Sequence, residues 1–170
     1  MRREQVPVRL DALADWLRTE RDAGHVAAIL DALEGYPVDQ TQRLLIETIA
    51  SGARDRGNRV AALRLFERGL TPDTEGRLVE LAKGIEDGPV LAVVLETIGN
   101  RPRAAGKRLL LESLSSESAN VRATALRALG KRRIDSAAPQ VLALLSDTEL
   151  EVRRAAAVVA GALKVREAAP

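Results

Sequence analysis

Apolar residues recur along this chain at helical spacing, in short runs separated by turn residues. Val6, Leu10, Leu13, Ala14 and Leu17 share one stripe and predict a helix over about 7–20. Trp16 lies about 60° from Leu13 on a helical wheel, at the edge of that stripe. It reads either as a packing residue closing the end of the core or as an exposed anchor for a partner. Val26, Ile29, Leu30 and Leu33 mark the next helix, Leu44, Leu45 and Ile49 a third, and Val60, Leu63 and Leu65 a fourth. Thr71-Pro72 reads as a helix start, with a Thr able to cap and a Pro at the first helical position. The helix that follows carries Leu78, Val79, Leu81 and Ile85, and further helices are predicted over Val90–Ile98, around Leu109–Leu114, over Ala119–Leu129, up to Leu145, and from Thr148. Thr148 with Glu151 three residues on fits a capping box.

These runs repeat. Val26, Val60, Val90, Val121 and Val152 each precede a glycine by nine residues, namely Gly35, Gly69, Gly99, Gly130 and Gly161, at intervals of 34, 30, 31 and 31. A fixed period of this length marks stacked helical hairpins. A glycine just past a helix end is expected to take the left-handed conformation that other residues resist, with Gly161 the exception, still inside its helix. The prediction is an all-α, right-handed α-solenoid of about ten helices in five hairpins, over about 22–53, 57–85, 88–114, 119–145 and 148–163, preceded by the helix at 7–20, all in one domain over 1–170.

Composition narrows the chemistry. Aromatics are 2% of 170 residues, so the core is built from Leu, Val, Ile and Ala. No cysteine is present, which removes disulfides, thiolate metal sites and cysteine nucleophiles and agrees with a reducing, cytoplasmic setting. His25 is the single histidine and reads as a surface residue near a helix start, so neither a metal nor another cofactor is expected. The net charge is +2, and no run approaches the roughly 20 apolar residues of a membrane span.

Residues 119–163 resemble HEAT repeats, in particular the short bacterial kind known as PBS-lyase-type HEAT-like repeats, on Asp147, Val152-Arg153, Ala155-Ala156-Ala157 and Gly161, and on Val121-Arg122, Ala125, Leu129-Gly130 and Leu144-Leu145. The earlier repeats carry Ala27, Ala61 and Leu91 where Arg153 stands and share only the period. The resemblance implies a curved scaffold for protein or nucleic acid. Some such relatives work with bilin lyases and others remove alkylated bases from DNA, so it does not choose a function. Base excision in such relatives draws on aromatic side chains and a carboxylate in a basic groove. Here Trp16, Tyr36 and Phe66 lie far in sequence from the richest basic cluster. Asp11 and Asp15 read as a solvated face beside Arg18, and no phosphate loop or nucleophile elbow is found, so no catalytic residue is assigned.

Two features stand out. The turns after Gly99, Gly130 and Gly161 carry Arg101 and Arg103, then Lys131, Arg132 and Arg133, then Lys164 and Arg166, which successive stacking would align into one basic ridge. That ridge reads as a phosphate-contacting edge or as cations complementing helix C-termini, and the second reading weighs more. Arg122 and Arg153, at a fixed repeat position, are expected to lay their stems on neighbouring repeats and pair with turn carboxylates. The second feature is Ala155–Leu163, apolar around the whole helix, which predicts that Val158 and Val159 meet a second copy, a further repeat or a partner. The reading is a non-enzymatic scaffold or adaptor with a protein partner. The runner-up is a nucleic-acid-binding module, and a weaker third is an accessory subunit of a lyase-type enzyme.

Overall fold

The computed structural model describes residues 9–71, 74–86, 88–101 and 105–163. Every regular element among them is helical: ten α-helices and three single turns of 3-10 helix. The chain divides into two compact units, 1–69 and 70–170.

The first unit holds α1 (Leu10–Thr19), α2 (Ala23–Leu33), α3 (Val38–Ala50) and α4 (Arg56–Arg68). Leu13, Leu17, Val26, Ile29, Leu30, Leu45, Ile49, Leu63 and Phe66 form its core. Two aspartates start helices here. The Asp22 side chain accepts from the His25 backbone N–H at 2.9 Å, and Asp55 accepts from those of Gly57 at 2.8 Å and Asn58 at 3.3 Å, filling donors that a helix start leaves open. Polar side chains then tie the helices to one another through main-chain oxygens. Arg54 donates to the carbonyls of Leu17 and Glu20 at the end of α1, Asn58 to that of Ala23 at 2.9 Å, and the buried Arg59 to that of Ile49 at 2.7 Å.

The second unit stacks as an α-solenoid. Its elements are α5 (Gly76–Lys83), α6 (Gly88–Gly99), α7 (Lys107–Glu112), α8 (Ala119–Lys131), α9 (Ala138–Ala143) and α10 (Leu150–Ala162), with 3-10 turns at 113–115, 135–137 and 144–146. Helices α6, α8 and α10 lie side by side in one row, and α5, α7 and α9 each pack on the row helix that follows them. Val90, Val121 and Val152, the repeated valines, are buried, as are Leu95, Ile98, Leu126 and Leu129.

Three local expectations change. None of the described glycines has a positive φ, and Gly99 and Gly130 belong to their helices just as Gly161, the expected exception, does. The left-handed position after α8 belongs instead to Arg133 (φ 50°), where Ile134 N–H reaches back to the Leu129 carbonyl at 3.1 Å. Thr148 does not cap α10; Asp147 does the nearby work, accepting from the Glu149 N–H at 2.9 Å. Helix α5 begins at Gly76 rather than at Thr71-Pro72; Thr71 and Thr74 bond each other in a turn, and Pro72 lies outside the described residues.

Candidate functional site

The repeated glycines owe their place to packing. A Cβ on Gly99 would stand 2.6 Å from Ala128 Cβ and 2.9 Å from Ala128 Cα, and one on Gly130 would stand 2.8 Å from a Val159 methyl. Each glycine is thus a notch in one row helix that receives a residue of the next, 29 positions on in both cases. Around each notch runs the same stripe. Gly88, Ala92, Leu95 and Gly99 on α6 correspond at a 31-residue offset to Ala119, Ala123, Leu126 and Gly130 on α8, and nearly all of these are buried by the next helix in the row. On α10 the stripe is Leu150, Arg154, Ala157 and Gly161. All four are exposed, Leu150 by 51%, and nothing described lies within 4 Å of where a Gly161 Cβ would be.

A second device clamps α8 to the turn that leads into α10. Arg122 grips Asp147 with two parallel bonds, Nη2 to Oδ1 at 2.8 Å and Nε to Oδ2 at 2.9 Å, while its Nη1 donates to the carbonyls of Ser116 (2.8 Å) and Glu117 (3.0 Å). This planar fork matches a carboxylate, and both side chains are almost covered, at 12% and 7% exposure. The Arg122 guanidinium beside Asp147 holds its carboxyl below the usual carboxylate range. Arg153 repeats half of the arrangement: its Nη1 donates to the carbonyls of Asp147 (2.7 Å) and Thr148 (2.9 Å). Among the described residues no carboxylate occupies its other edge. The expected pairing of Arg122 with a turn carboxylate is present, and that of Arg153 is replaced by these carbonyls.

Two residues of the predicted basic ridge, Arg101 and Arg132, are turned partly inward. Arg101 ion-pairs with Glu75 at 3.3 Å, the carboxylate being 8% exposed. Arg132 is partly buried in the same region; burial pushes its guanidinium below the ordinary value, and the charge of Glu75 works against that. Lys131 bonds the side chain of Asn100, one repeat earlier. Lys131 and Arg133 are exposed, while Arg103 and Lys164 lie outside the described residues. Arg101 and Arg132 are thus drawn partly inward by a glutamate 26 residues upstream of Arg101. Glu75→Gln is expected to lower the unfolding free energy by about 1–2 kcal/mol in chemical denaturation, because it removes the carboxylate charge that the partly buried Arg101 and Arg132 face.

The remaining candidates separate. Trp16 is 53% exposed on α1, so it does not close the core. Val158 is 73% exposed, at the register position of the exposed Glu96 and Arg127, and it presents methyls where its predecessors present charge. Val159, by contrast, is 3% exposed because it fills the Gly130 notch, so it is a core residue and not a contact for a second chain. Helix α10 is consequently buried on one side through Val152, Ala155, Ala156, Val159 and Ala160, and open on the other. A shallow groove of about 270 Å³ between α6 and α8 is lined by Glu96, Asn100, Thr124, Arg127 and Lys131. Its floor is set by the close approach at Gly99. Among the described residues no cluster of His, Asp and Glu could hold a metal ion, and no helix is long and apolar enough to cross a membrane.

The row of notched helices, with α8 clamped to the turn before α10 by Arg122, defines an α-solenoid built for stacking. The family model for HEAT repeats matches residues 107–170, the stretch from α7 through α10. No curated protein matches the chain significantly.

Sequence reading missed Leu150, Arg154, Ala157 and Gly161 as a group. The signal was available: aligning the last three row helices at 31 residues shows Ala92 and Ala123 becoming Arg154, and Leu95 and Leu126 becoming Ala157.

Proposed function

We propose that the protein is a non-catalytic scaffold or adaptor that binds another protein. The observation that carries this reading is where its side chains are spent. Some of the charged groups that would serve a phosphate are engaged within the fold, as Arg101 with Glu75 and Arg122 with Asp147 are, whereas apolar side chains at Leu150 and Val158 on α10 lie open. Association through such a surface rests on shape and buried area rather than on a field of one sign. The match to HEAT repeats supports the same class of role. The Val-Arg-Ala pattern supports the narrower placement with short bacterial repeats, and service beside a lyase-type enzyme is the narrowest form of this reading.

A photo-crosslinking residue at Val158, with one at Arg43 as control, tests it in the native cell extract. The expected result is a small set of discrete protein adducts at Val158 that persist at high salt. Nucleic-acid adducts instead, or duplex binding that weakens steeply with salt and is lost when Lys131 and Arg133 become Glu, would overturn it in favour of a nucleic-acid module.

A further inference from the structure

We infer that the open face of α10 docks a partner helix led by a carboxylate: an acidic residue seated on Arg153, with a small branched aliphatic side chain further along entering the notch at Gly161. The inference rests on the scaffold reading and specifies which face does the binding and the chemistry it selects.

The second unit itself supplies the template. Where α8 meets α10, two contacts fix the register: Asp147 on the Arg122 fork, and Val159 in the Gly130 notch, twelve residues later. Helix α10 offers both sockets again, 31 residues on. Arg153 holds its own turn by Nη1 in the same way as Arg122, which leaves its Nε and Nη2 edge in the orientation that grips a carboxylate in the preceding repeat. Gly161 leaves the same recess as Gly130, with nothing against it among the described residues.

Charge decides between occupants. Arg154 replaces the buried Ala123 in the middle of the face, so two adjacent guanidinium groups front the docking surface, and an acidic helix satisfies them. A second copy is disfavoured by the same logic, since the chain's own segment with this spacing, Asp147 to Val159, is already folded against α8.

The probe is a stapled helical peptide of residues 147–163, led by Asp147 with Glu149 and Glu151 behind it, titrated with the intact protein by fluorescence anisotropy. Saturable binding is expected, weakened about tenfold or more by Arg153→Lys or Gly161→Leu in the protein, or by Asp147→Asn in the peptide. Gly161→Leu faces open space and should melt at or slightly above the parent, while Arg153→Lys keeps the charge but gives up carbonyl bonds of its own turn and should melt slightly below it; circular dichroism of both should show the parent's helix content. Absence of binding up to about 1 mM, or binding indifferent to all three changes, would overturn the inference. So would self-association of the protein abolished by Gly161→Leu, which assigns the face to a second copy, or peptide binding that appears only after residues 164–170 are removed, which assigns it to the chain's own tail. If crosslinking at Val158 yields no protein while the peptide binds as described, the scaffold reading fails and the docking chemistry stands.

Discussion

Arg122→Ala is expected to cost about 2–3 kcal/mol in urea denaturation, somewhat below the roughly 3–5 kcal/mol lost when one partner of a fully buried pair is removed. The discount reflects the 12% exposure that the arginine side chain retains. The loss has two sources. Asp147 is left as a covered carboxylate without its fork, and the carbonyls of Ser116 and Glu117 lose their donor. Asp147→Asn should cost less, about 1–2 kcal/mol, because an amide oxygen can still accept from the Glu149 N–H. The pair also predicts an acid response with a definite sign. The folded-state pKa of Asp147 is depressed, chiefly by the hydrogen bonds from Arg122, so its contribution is complete above the ordinary carboxylate range and disappears as pH falls through the lower folded value. The stability gap between the parent protein and Asp147→Asn should therefore be constant from about pH 7 down to about pH 5 and shrink below about pH 4. A gap that stays unchanged at pH 3 would show that the carboxylate charge is not what the clamp uses.

The second large effect concerns the same substitution at three equivalent places. Gly99→Ala is expected to destabilise by about 1–3 kcal/mol, since the new methyl would stand 2.9 Å from the Ala128 Cα and backbone cannot step aside as a side chain can. Gly130→Ala should cost less, because its obstacle is a Val159 methyl. Gly161→Ala meets nothing and should stabilise by about 0.5–1 kcal/mol, the usual gain from replacing glycine inside a helix. Thermal denaturation of the three variants checks the order. If all three gained stability, the notches would have no role in stacking.

The sequence carried the period well and the reason for it poorly. Valines and glycines at 30 and 31 residues announced the stack, and the helices of the second unit sit where they were expected to within a few residues. The glycines were assigned to left-handed helix ends because that is the commonest local use of glycine, whereas their function here is a contact with another helix, which local sequence does not display. The inward turn of Arg101 and Arg132 was hidden for a similar reason: Glu75 sits well before them, in a stretch that suggested only the start of a helix. Val158 and Val159 could not be separated within an all-apolar run, which has no polar face to set the phase. The 31-residue register could have done so, because it places Val159 with the buried Ala128 and Val158 with the exposed Arg127.

The ties between helices of the first unit differ in kind from the Asp147 clamp. Arg54, Asn58 and Arg59 hold peptide oxygens, which have no proton to gain in mild acid. Acidification therefore releases the Asp147 clamp while these ties to peptide oxygens persist. Under such conditions amide exchange should quicken around Asp147 before it does at the ends of α1 and α3, where Arg54 and Arg59 hold carbonyls.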